Sequence, residues 1–133
     1  SPLFESTKEV LDTLKTSGYD LAIATGKSRR GLDKGLFDTG LESYFPVTRC
    51  ADETRSKPHP QMLEEILVDH NLEPKQALMI GDSEFDLQLA NNTKVDSLAV
   101  SYGVHDLLRL LKQDPIGFID DIKQLPKWIN DHT

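Results

Sequence analysis

Apolar positions along the chain alternate between a helical spacing and short continuous runs. Residues 10–14 and 62–67 carry apolar side chains three to four positions apart, which predicts amphipathic helices. Compact apolar runs at residues 21–25 and 77–80 predict strands that are buried on both faces. Strands that alternate with helices indicate an α/β fold with an open, mostly parallel sheet covered on both faces.

Start and stop residues set the expected bounds of the first helices. Ser6 and Glu9 have the spacing of a capping box, which predicts a helix that begins near Ser6 and ends at Gly18. A second helix is expected to begin at Ser28. Three apolar residues would form its buried side: Leu32, Leu36 and Phe37.

The remaining elements follow the same alternation. We expect strands at residues 46–50, 97–102 and 118–119, and helices that begin near Pro60, Ser83 and Asp106. A final helical stretch holds Ile122 and Leu125. It is expected to be interrupted at Pro126, because proline removes a backbone donor from a helix interior.

Composition narrows the class of protein. The 133 residues are 38% hydrophobic and 28% charged, as in one folded domain. A net charge of −7 argues against a nucleic-acid partner, which needs a basic surface. The single cysteine, Cys50, rules out an intramolecular disulfide and a cysteine-rich zinc site in this sequence. With no apolar run of membrane-spanning length and no signal-peptide pattern, we expect a cytoplasmic protein with no membrane partner.

Polar residues at strand ends are the candidates for chemistry, since ligands of parallel sheets bind at the carboxyl edge. Asp82 follows a strand and offers hard oxygen ligands suited to Mg²⁺, and Asp86 lies one helical turn further on. Thr25 and Gly26 could hold phosphate oxygens through a hydroxyl and an open amide. Lys57, kept extended by the proline that follows, could neutralise a phosphate.

Each candidate also has a simpler structural interpretation. Asp86 could only complement the dipole of its helix, and Thr25 with Gly26 could be an ordinary strand end and turn. Lys57 could be solvated. A phosphate-binding P-loop is excluded because Leu21 occupies the position of its first glycine, and no G-x-G-x-x-G segment occurs.

The histidines and the cysteine carry weaker signals. No pair of histidines has metal-ligand spacing on a helix, so surface or capping positions are expected for His59, His70, His105 and His132. Cys50 is expected to be a small buried hydrophobe rather than a nucleophile. Trp128 and Ile129 are expected to pack onto the sheet.

Three motifs in order, at residues 21–28, 57–60 and 81–86, resemble those of the haloacid dehalogenase superfamily, in its phosphoglycolate-phosphatase-like branch. Residues 40–45 and 100–103 are also similar to that branch. The resemblance implies a three-layer, Rossmann-like core. It also implies Mg²⁺-dependent hydrolysis of small phosphorylated metabolites through an aspartyl-phosphate.

The resemblance assigns roles to the strand-end residues. Thr25, with the amide of Gly26, would hydrogen-bond the transferred phosphoryl group. Lys57 would bind the phosphate and neutralise its charge, and would act with Thr25 in catalysis. Asp82 would be a Mg²⁺ ligand, and Asp86 would support the water shell of the metal. These roles fit phosphoryl transfer, in which positioning and charge neutralisation supply most of the catalysis.

The sequence departs from the family at its first motif. No two aspartates stand two positions apart, so the family's Asp-x-Asp strand, which carries the nucleophile, is absent. In the family that strand lies between the strands that end at Thr25 and Asp82, and a small cap follows it. Residues 1–133 are therefore expected to be the C-terminal portion of a single incomplete core domain, without its central strand and cap and inactive alone.

A sheet without its central strand would expose two strand edges. Three closures are expected: direct pairing of the neighbouring strands, strand exchange with another copy, or pairing with a separate N-terminal segment. Two non-enzymatic functions also stay open. One is a receiver-like signalling module, although receivers place their acidic cluster before the Thr and Lys. The other is a remnant that keeps the fold for partner contacts.

Overall fold

The computed structural model describes residues 2–101 and 106–133 of the protein, and side chains from residue 6 onwards. The helices in these ranges are α1 (Pro2–Thr16), α2 (Arg29–Thr39), α3 (Gln61–His70), α4 (Glu84–Thr93), α5 (Leu107–Leu111) and α6 (Leu125–Asp131). The strands are β1 (Ala22–Thr25), β2 (Val47–Cys50), β3 (Leu78–Gly81), β4 (Asp96–Val100) and β5 (Gly117–Ile119). Short 3₁₀ helices lie at Glu42–Tyr44, Pro74–Gln76 and Ile122–Gln124. The predicted α/β alternation is confirmed.

The strands pair in parallel but form two separate sheets. β1 pairs with β2, from Ala22 opposite Val47 to Thr25 opposite Cys50. β4 lies between β3 and β5 in the second sheet, and β5 is at its edge as expected. Within the described ranges no ladder joins β1 to β3. Direct pairing of these neighbours is therefore not how this chain closes its sheet.

Helix α3 shows that β1 and β3 run in the same direction. The loop before α3 carries Lys57, which donates to Asp86 just beyond the carboxyl end of β3. His70, the last residue of α3, lies at the opposite end of the strands, where its Nδ1 is 3.7 Å from Oδ2 of Asp20. Asp20 immediately precedes β1. The carboxyl ends of both strands therefore lie at one edge, which we call the carboxyl edge.

Helices cover both faces of the strands, which confirms the three-layer arrangement. A first buried cluster lies on the α1 and α6 side: Val10, Leu14, Leu98, Val100, Ile119 and Leu125. A second lies on the α3 and α4 side: Leu63, Leu67, Leu89, Ala90 and Val95. Burying one such side chain stabilises the fold by about 1.5–3 kcal/mol. Trp128 and Ile129 pack against the first cluster, as predicted.

Two predictions about the first helices are wrong. α1 begins at Pro2, so Ser6 lies inside the helix rather than at its N-cap. Proline is well suited to a first helical turn, because its missing N–H would have no intrahelical partner there. Phe37 is 72% exposed. It lies about 140° around the helix from the buried Leu32, so it points away from the core that Leu32 faces.

Two predictions near the other elements also need correction. Pro126 lies in the first turn of α6 and starts that helix instead of interrupting it. The His70 side chain is only 12% exposed, so of the surface and capping positions expected for the histidines the surface position is wrong here, and His70 is the last residue of α3. The predicted strand at 97–102 is β4, ending at Val100. Its predicted last residue, Tyr102, and the motif residue Gly103 lie outside the described residues, as does His105.

Arg29 anchors the start of α2 to β2 and its following loop. Its guanidinium donates to Oγ1 of Thr48 at 2.7 Å and to the Thr48 carbonyl at 3.1 Å. It also forms two bonds to the carboxylate of Glu53, at 2.7 and 3.1 Å. The hydrogen bond from Arg29 lowers the pKa of Glu53 below its ordinary value.

None of the described helices has the length and hydrophobicity that crossing a membrane requires.

Glu53 should make the free energy of unfolding sensitive to acid. Because its pKa is lowered in the folded state, its contribution is complete above the ordinary value of 4.5 and is lost as the pH falls through the folded value. Glu53→Gln should flatten the acid limb of the unfolding free energy, measured by urea titration between pH 3 and 7. Glu64→Gln removes the same charge from the exposed side of α3 and is the control. A Glu53→Gln profile parallel to that of the parent chain would contradict the assignment.

Candidate active site

Asp86 closes the start of α4 as part of a capping box. Oγ of Ser83 accepts from the Asp86 amide at 3.2 Å. In return, Oδ2 of Asp86 accepts from the amides of Ser83 at 3.3 Å and Asp82 at 3.2 Å. One carboxylate oxygen thus satisfies two free amides at the junction of β3 and α4.

The second oxygen of Asp86 holds Lys57. Nζ of Lys57 donates to Oδ1 of Asp86, and the two side chains are only 15% and 10% exposed. Nδ2 of Asn92 donates to the carbonyl of Pro58 at 2.8 Å, which fastens the Lys57 loop to α4. The pair is therefore a nearly buried ion pair fixed at the carboxyl edge. The contact joins residues 29 positions apart, so no local sequence pattern could have revealed it.

Asp82 lies next to this pair with its acceptor capacity unused. It follows β3 directly and is half-buried. Its carboxylate makes no hydrogen bond or ion pair with the described part of the chain. Asp82 is thus the carboxylate of this edge that can accept from, or ligate, an incoming group.

Thr25 and Gly26 lie at the same edge, at the end of β1. Oγ1 of Thr25 accepts from the Lys27 amide at 3.1 Å, which leaves its hydroxyl proton to donate elsewhere. Gly26 is exposed, and a Cβ placed on it would have no atom within 4 Å beyond its chain neighbours. Thr25 makes no direct hydrogen bond to Lys57 or Asp86 among the described residues. The structure therefore joins Lys57 directly to Asp86 and links Asp82 to the same carboxylate through its amide, while Thr25 lies at the same edge without a hydrogen bond to Lys57 or Asp86 in the described chain.

The donor set fits only part of a Mg²⁺ site. Mg²⁺ takes one or two carboxylates and fills its octahedron with water and substrate oxygens. Asp82 offers one free carboxylate, whereas both oxygens of Asp86 are engaged by Lys57 and by amides. Across residues 2–101 and 106–133, no group of three His, Cys, Asp or Glu side chains could hold a metal. Further ligands would have to come from water, phosphate or another segment.

Other polar groups in the structure do not join this site. Cys50 is fully buried, as predicted, and its burial raises the pKa of the thiol, which disfavours the reactive thiolate. Arg49 forms ion pairs with Glu65, at 2.8 Å, and with Asp69. Hydrogen bonds from Arg49 lower the pKa of Glu65. Sequence patterns did not indicate these pairs, because their partners lie on different elements.

The family model of haloacid dehalogenase-like hydrolases matches residues 1–100. This match covers the β1 motif, the Lys57 loop and the start of α4, the segments from which the site is built. The chain belongs to this family of hydrolases. The resemblance inferred from the three motifs is confirmed.

Relatives of this haloacid dehalogenase-like hydrolase include phosphatases. Pyrophosphatase PpaX of Bacillus cereus is 30% identical over 129 residues, which are 96% of this chain and 60% of the relative. A Caldanaerobacter subterraneus protein with the provisional name pyrophosphatase PpaX is 36% identical over 126 residues, 94% of this chain and 57% of the relative. The chain thus spans 57 to 60% of the length of these two relatives.

Solved structures show the same fold. A "predicted phosphoglycolate phosphatase" from Haemophilus somnus superposes with a TM-score of 0.87 at 27% identity. The superposition covers 93% of this chain and 56% of that protein. The chain is therefore similar to just over half of that larger protein.

Gly81 should be intolerant of a side chain because Asp86 packs directly on it. A Cβ at Gly81 would lie 2.5 Å from Cβ of Asp86, closer than real contacts allow. We expect Gly81→Ala to lower the free energy of unfolding by about 1–3 kcal/mol, as overpacking does. Gly35→Ala is the matched control: it lies inside α2 with open space around its Cβ and should raise that energy by about 0.5–1 kcal/mol. Equal effects of the two substitutions in urea titrations would contradict this packing.

Proposed function

We propose that residues 1–133 are the C-terminal portion of the core of a Mg²⁺-dependent phosphatase that acts on small phosphorylated molecules. The observation that carries the proposal is the nearly buried Lys57–Asp86 pair beside the free carboxylate of Asp82, at the carboxyl edge of a parallel sheet. Membership of a hydrolase family with pyrophosphatase relatives supports it.

Each residue of the site has a task in this proposal. Lys57 supplies a positive charge for the phosphate oxygens, and Asp86 positions that ammonium group through its hydrogen bond. The Thr25 hydroxyl donates to a phosphoryl oxygen, and the exposed Gly26 lets the backbone approach it closely. Asp82 would hold Mg²⁺, and the metal when bound would neutralise further phosphate charge. Donors fixed before the substrate arrives stabilise the transition state at little reorganisation cost.

The nucleophile is the part of this mechanism that the chain does not contain. By resemblance to the family, the first aspartate of an Asp-x-Asp segment would attack phosphorus and carry the phosphoryl group as an aspartyl-phosphate, while the bond from phosphorus to the leaving oxygen breaks and the second aspartate protonates that oxygen. Water would then cleave that intermediate. Because none of the 133 residues forms such a motif, the chain alone is expected to be inactive.

The names of the relatives suggest which substrates to test first. Pyrophosphatase PpaX and the phosphoglycolate phosphatase from Haemophilus somnus are named for small phosphorylated compounds. We therefore propose pyrophosphate and phosphoglycolate as the first substrates for this protein. A cytoplasmic location and the absence of nucleic-acid and membrane partners stay predictions.

Purified residues 1–133 should release no phosphate from p-nitrophenyl phosphate, pyrophosphate or phosphoglycolate above the buffer rate, with or without Mg²⁺. The product of the whole open reading frame should hydrolyse at least one of them, and EDTA should abolish the activity. The measurement is phosphate release over time. Mg²⁺-dependent turnover by the 133-residue chain would contradict its predicted inactivity. The absence of turnover by the full product would contradict the phosphatase assignment.

Replacing Lys57 in the full product should reduce kcat/KM at least about 100-fold, the usual effect of removing one transition-state donor. Lys57→Met also leaves Asp86 buried without its partner, which destabilises proteins by about 3–5 kcal/mol. The double variant Lys57→Met, Asp86→Asn removes both charges but keeps a side-chain oxygen that can accept from the amides of Asp82 and Ser83, so it should recover part of the stability without recovering activity. Lys75→Met, on a lysine 81% exposed, is the matched control and should leave activity unchanged. Full activity of a folded Lys57→Met variant would exclude the proposed role.

A further inference from the structure

The loop between β2 and α3 carries two basic side chains besides Lys57. This loop leaves the carboxyl end of β2, which is parallel to β1, so it lies at the carboxyl edge. Arg55 lies two residues before Lys57, and His59 lies two residues after it. Two residues of chain span at most about 7 Å, so both side chains begin close to the backbone of Lys57.

The start of α3 holds the imidazole of His59 in one orientation. Nδ1 of His59 accepts from the backbone amide of Gln61 at 3.1 Å. Oε1 of Gln61 accepts from the backbone amide of Arg55 at 2.8 Å, and Nε2 of Gln61 donates to Glu65 at 2.9 Å. Gln61 therefore fixes the backbone of Arg55 and the ring of His59 relative to each other.

The hydrogen bond from Gln61 determines which ring nitrogen of His59 carries the hydrogen. A neutral imidazole has one nitrogen that accepts and one that donates. Since Nδ1 accepts from a backbone amide that cannot turn away, the hydrogen of neutral His59 is on Nε2. Nε2 lies 3.1 Å from Nη1 of Arg55, whose guanidinium can only donate. Two donors therefore face each other, and no hydrogen bond can join them.

Neither of these two donors has an acceptor in the described part of the chain. Arg55 is exposed, and its guanidinium forms no ion pair there. The neighbouring carboxylates of the loop are engaged by Arg29: Glu53 accepts from its guanidinium, and Asp52 accepts from its backbone amide. One incoming acceptor could therefore receive hydrogen bonds from both Arg55 and His59.

An anionic group is the acceptor that suits this pair of donors. A guanidinium binds carboxylate and phosphate oxygens through two parallel N–H groups, and the charge on the acceptor strengthens these hydrogen bonds. A metal cation would find no ligand here, because the guanidinium has no lone pair and the accepting nitrogen of His59 is already used. The chemistry of the two side chains thus selects a carboxylate or a phosphoryl group.

We propose that Arg55 and His59 form a subsite for a second anionic group of the phosphorylated substrate, either a carboxylate or a further phosphoryl group. The proposal rests on the proposed function, in which Lys57, between these two residues, binds the transferred phosphoryl group. It narrows that function to small substrates that carry two anionic groups close together. Phosphoglycolate and pyrophosphate are of this kind, whereas p-nitrophenyl phosphate has one anionic group.

The substrate preference of the full product tests the subsite. The preference ratio is kcat/KM for phosphoglycolate or pyrophosphate, whichever is the better substrate, divided by kcat/KM for p-nitrophenyl phosphate. Arg55→Met should lower this ratio at least about tenfold, because hydrogen bonds from a charged group to the second anion are lost. Arg55→Lys keeps the charge without the paired donors and should recover part of the ratio.

Matched variants separate the subsite from a general effect of charge. His59→Asn keeps an oxygen that can accept from the Gln61 amide but removes the Nε2 donor, so the ratio should fall at least about threefold. Arg30→Met removes an exposed arginine from the first turn of α2 at the same edge and should leave the ratio unchanged. Circular dichroism checks that each variant is folded. An unchanged ratio for folded Arg55→Met, or an equal fall for Arg30→Met, would overturn the proposal.

Binding to residues 1–133 tests the subsite without turnover. The probe is 3-phosphonopropionate, in which carbon replaces the bridging oxygen of phosphoglycolate, and propylphosphonate, which lacks the carboxylate, is the control. In ¹H–¹⁵N NMR spectra at pH 8, the His59 ring should carry its hydrogen on Nε2 and shift saturably with the probe. Propylphosphonate should bind at least about tenfold more weakly. A hydrogen on Nδ1, or equal effects of the two compounds, including no effect of either, would overturn the subsite.

The two experiments separate the subsite from the phosphatase function. Preferential binding of 3-phosphonopropionate by residues 1–133, with no hydrolysis by the full product, would leave the subsite standing and count against the phosphatase. Hydrolysis by the full product, with a preference ratio that Arg55→Met does not change, would count against the subsite alone.

Discussion

The carboxylate of Asp86 fixes the geometry of the carboxyl edge. One oxygen accepts from two backbone amides at the start of α4, and the other accepts from the ammonium group of Lys57. Its Cβ also packs against Gly81, the last residue of β3. A strand end, a helix start and a distant loop are therefore joined through one side chain. Because neither buried charge of the pair can lose its partner without a large penalty, folding itself determines where Lys57 lies.

The ion pair of Lys57 with Asp86 also limits how well the carboxyl edge can bind a phosphate without a cation. Asp86 already compensates the charge of Lys57, so the pair together with Asp82 carries a net charge of about −1 when both carboxylates are ionised. A phosphate adds further negative charge at the same place. Under the proposed function, a divalent cation on Asp82 is what makes that approach favourable. Under that proposal, the negative charge balance of these three side chains would account for a requirement for Mg²⁺.

Much of the fold was predictable from the sequence because it depends on local patterns. The four residues of the predicted apolar stripe of α3 are all buried: Met62, Leu63, Ile66 and Leu67. Ser28, Ser83 and Asp106 cap the helices they were expected to start. The failures occur where one pattern has two structural outcomes. A proline in a helical stretch can interrupt a helix or begin one, and Pro126 begins α6. Phe37 is apolar but lies on the exposed side of α2, which composition alone cannot show.

For the candidate site, the sequence predicted which residues take part but not how their side chains contact one another. Motif resemblance identified Thr25, Lys57, Asp82 and Asp86, and strand-end positions explained why they share an edge. The contact between Lys57 and Asp86 depends on how α3 and α4 pack, so only the three-dimensional structure shows it. Periodicity also did not indicate the separation between β1 and β3. The absence of an Asp-x-Asp strand from the sequence did indicate it.

The two sheets are held together by helices rather than by backbone pairing. α3 lines the groove between β1 and β3 on one face, while α1 and α6 line it on the other, so these helices bridge the sheets with apolar side chains, and the ion pair of Arg49 with Glu65 adds a polar contact between β2 and α3. A strand inserted between β1 and β3 would add two ladders and end at the carboxyl edge, between Thr25 and Asp82. If that strand ended in an aspartate, completing the sheet would bring a carboxylate to the groups that bind phosphate. Under the proposed function, completion of the fold and assembly of the active site would then be one event, and the chain alone is expected to be folded but inactive.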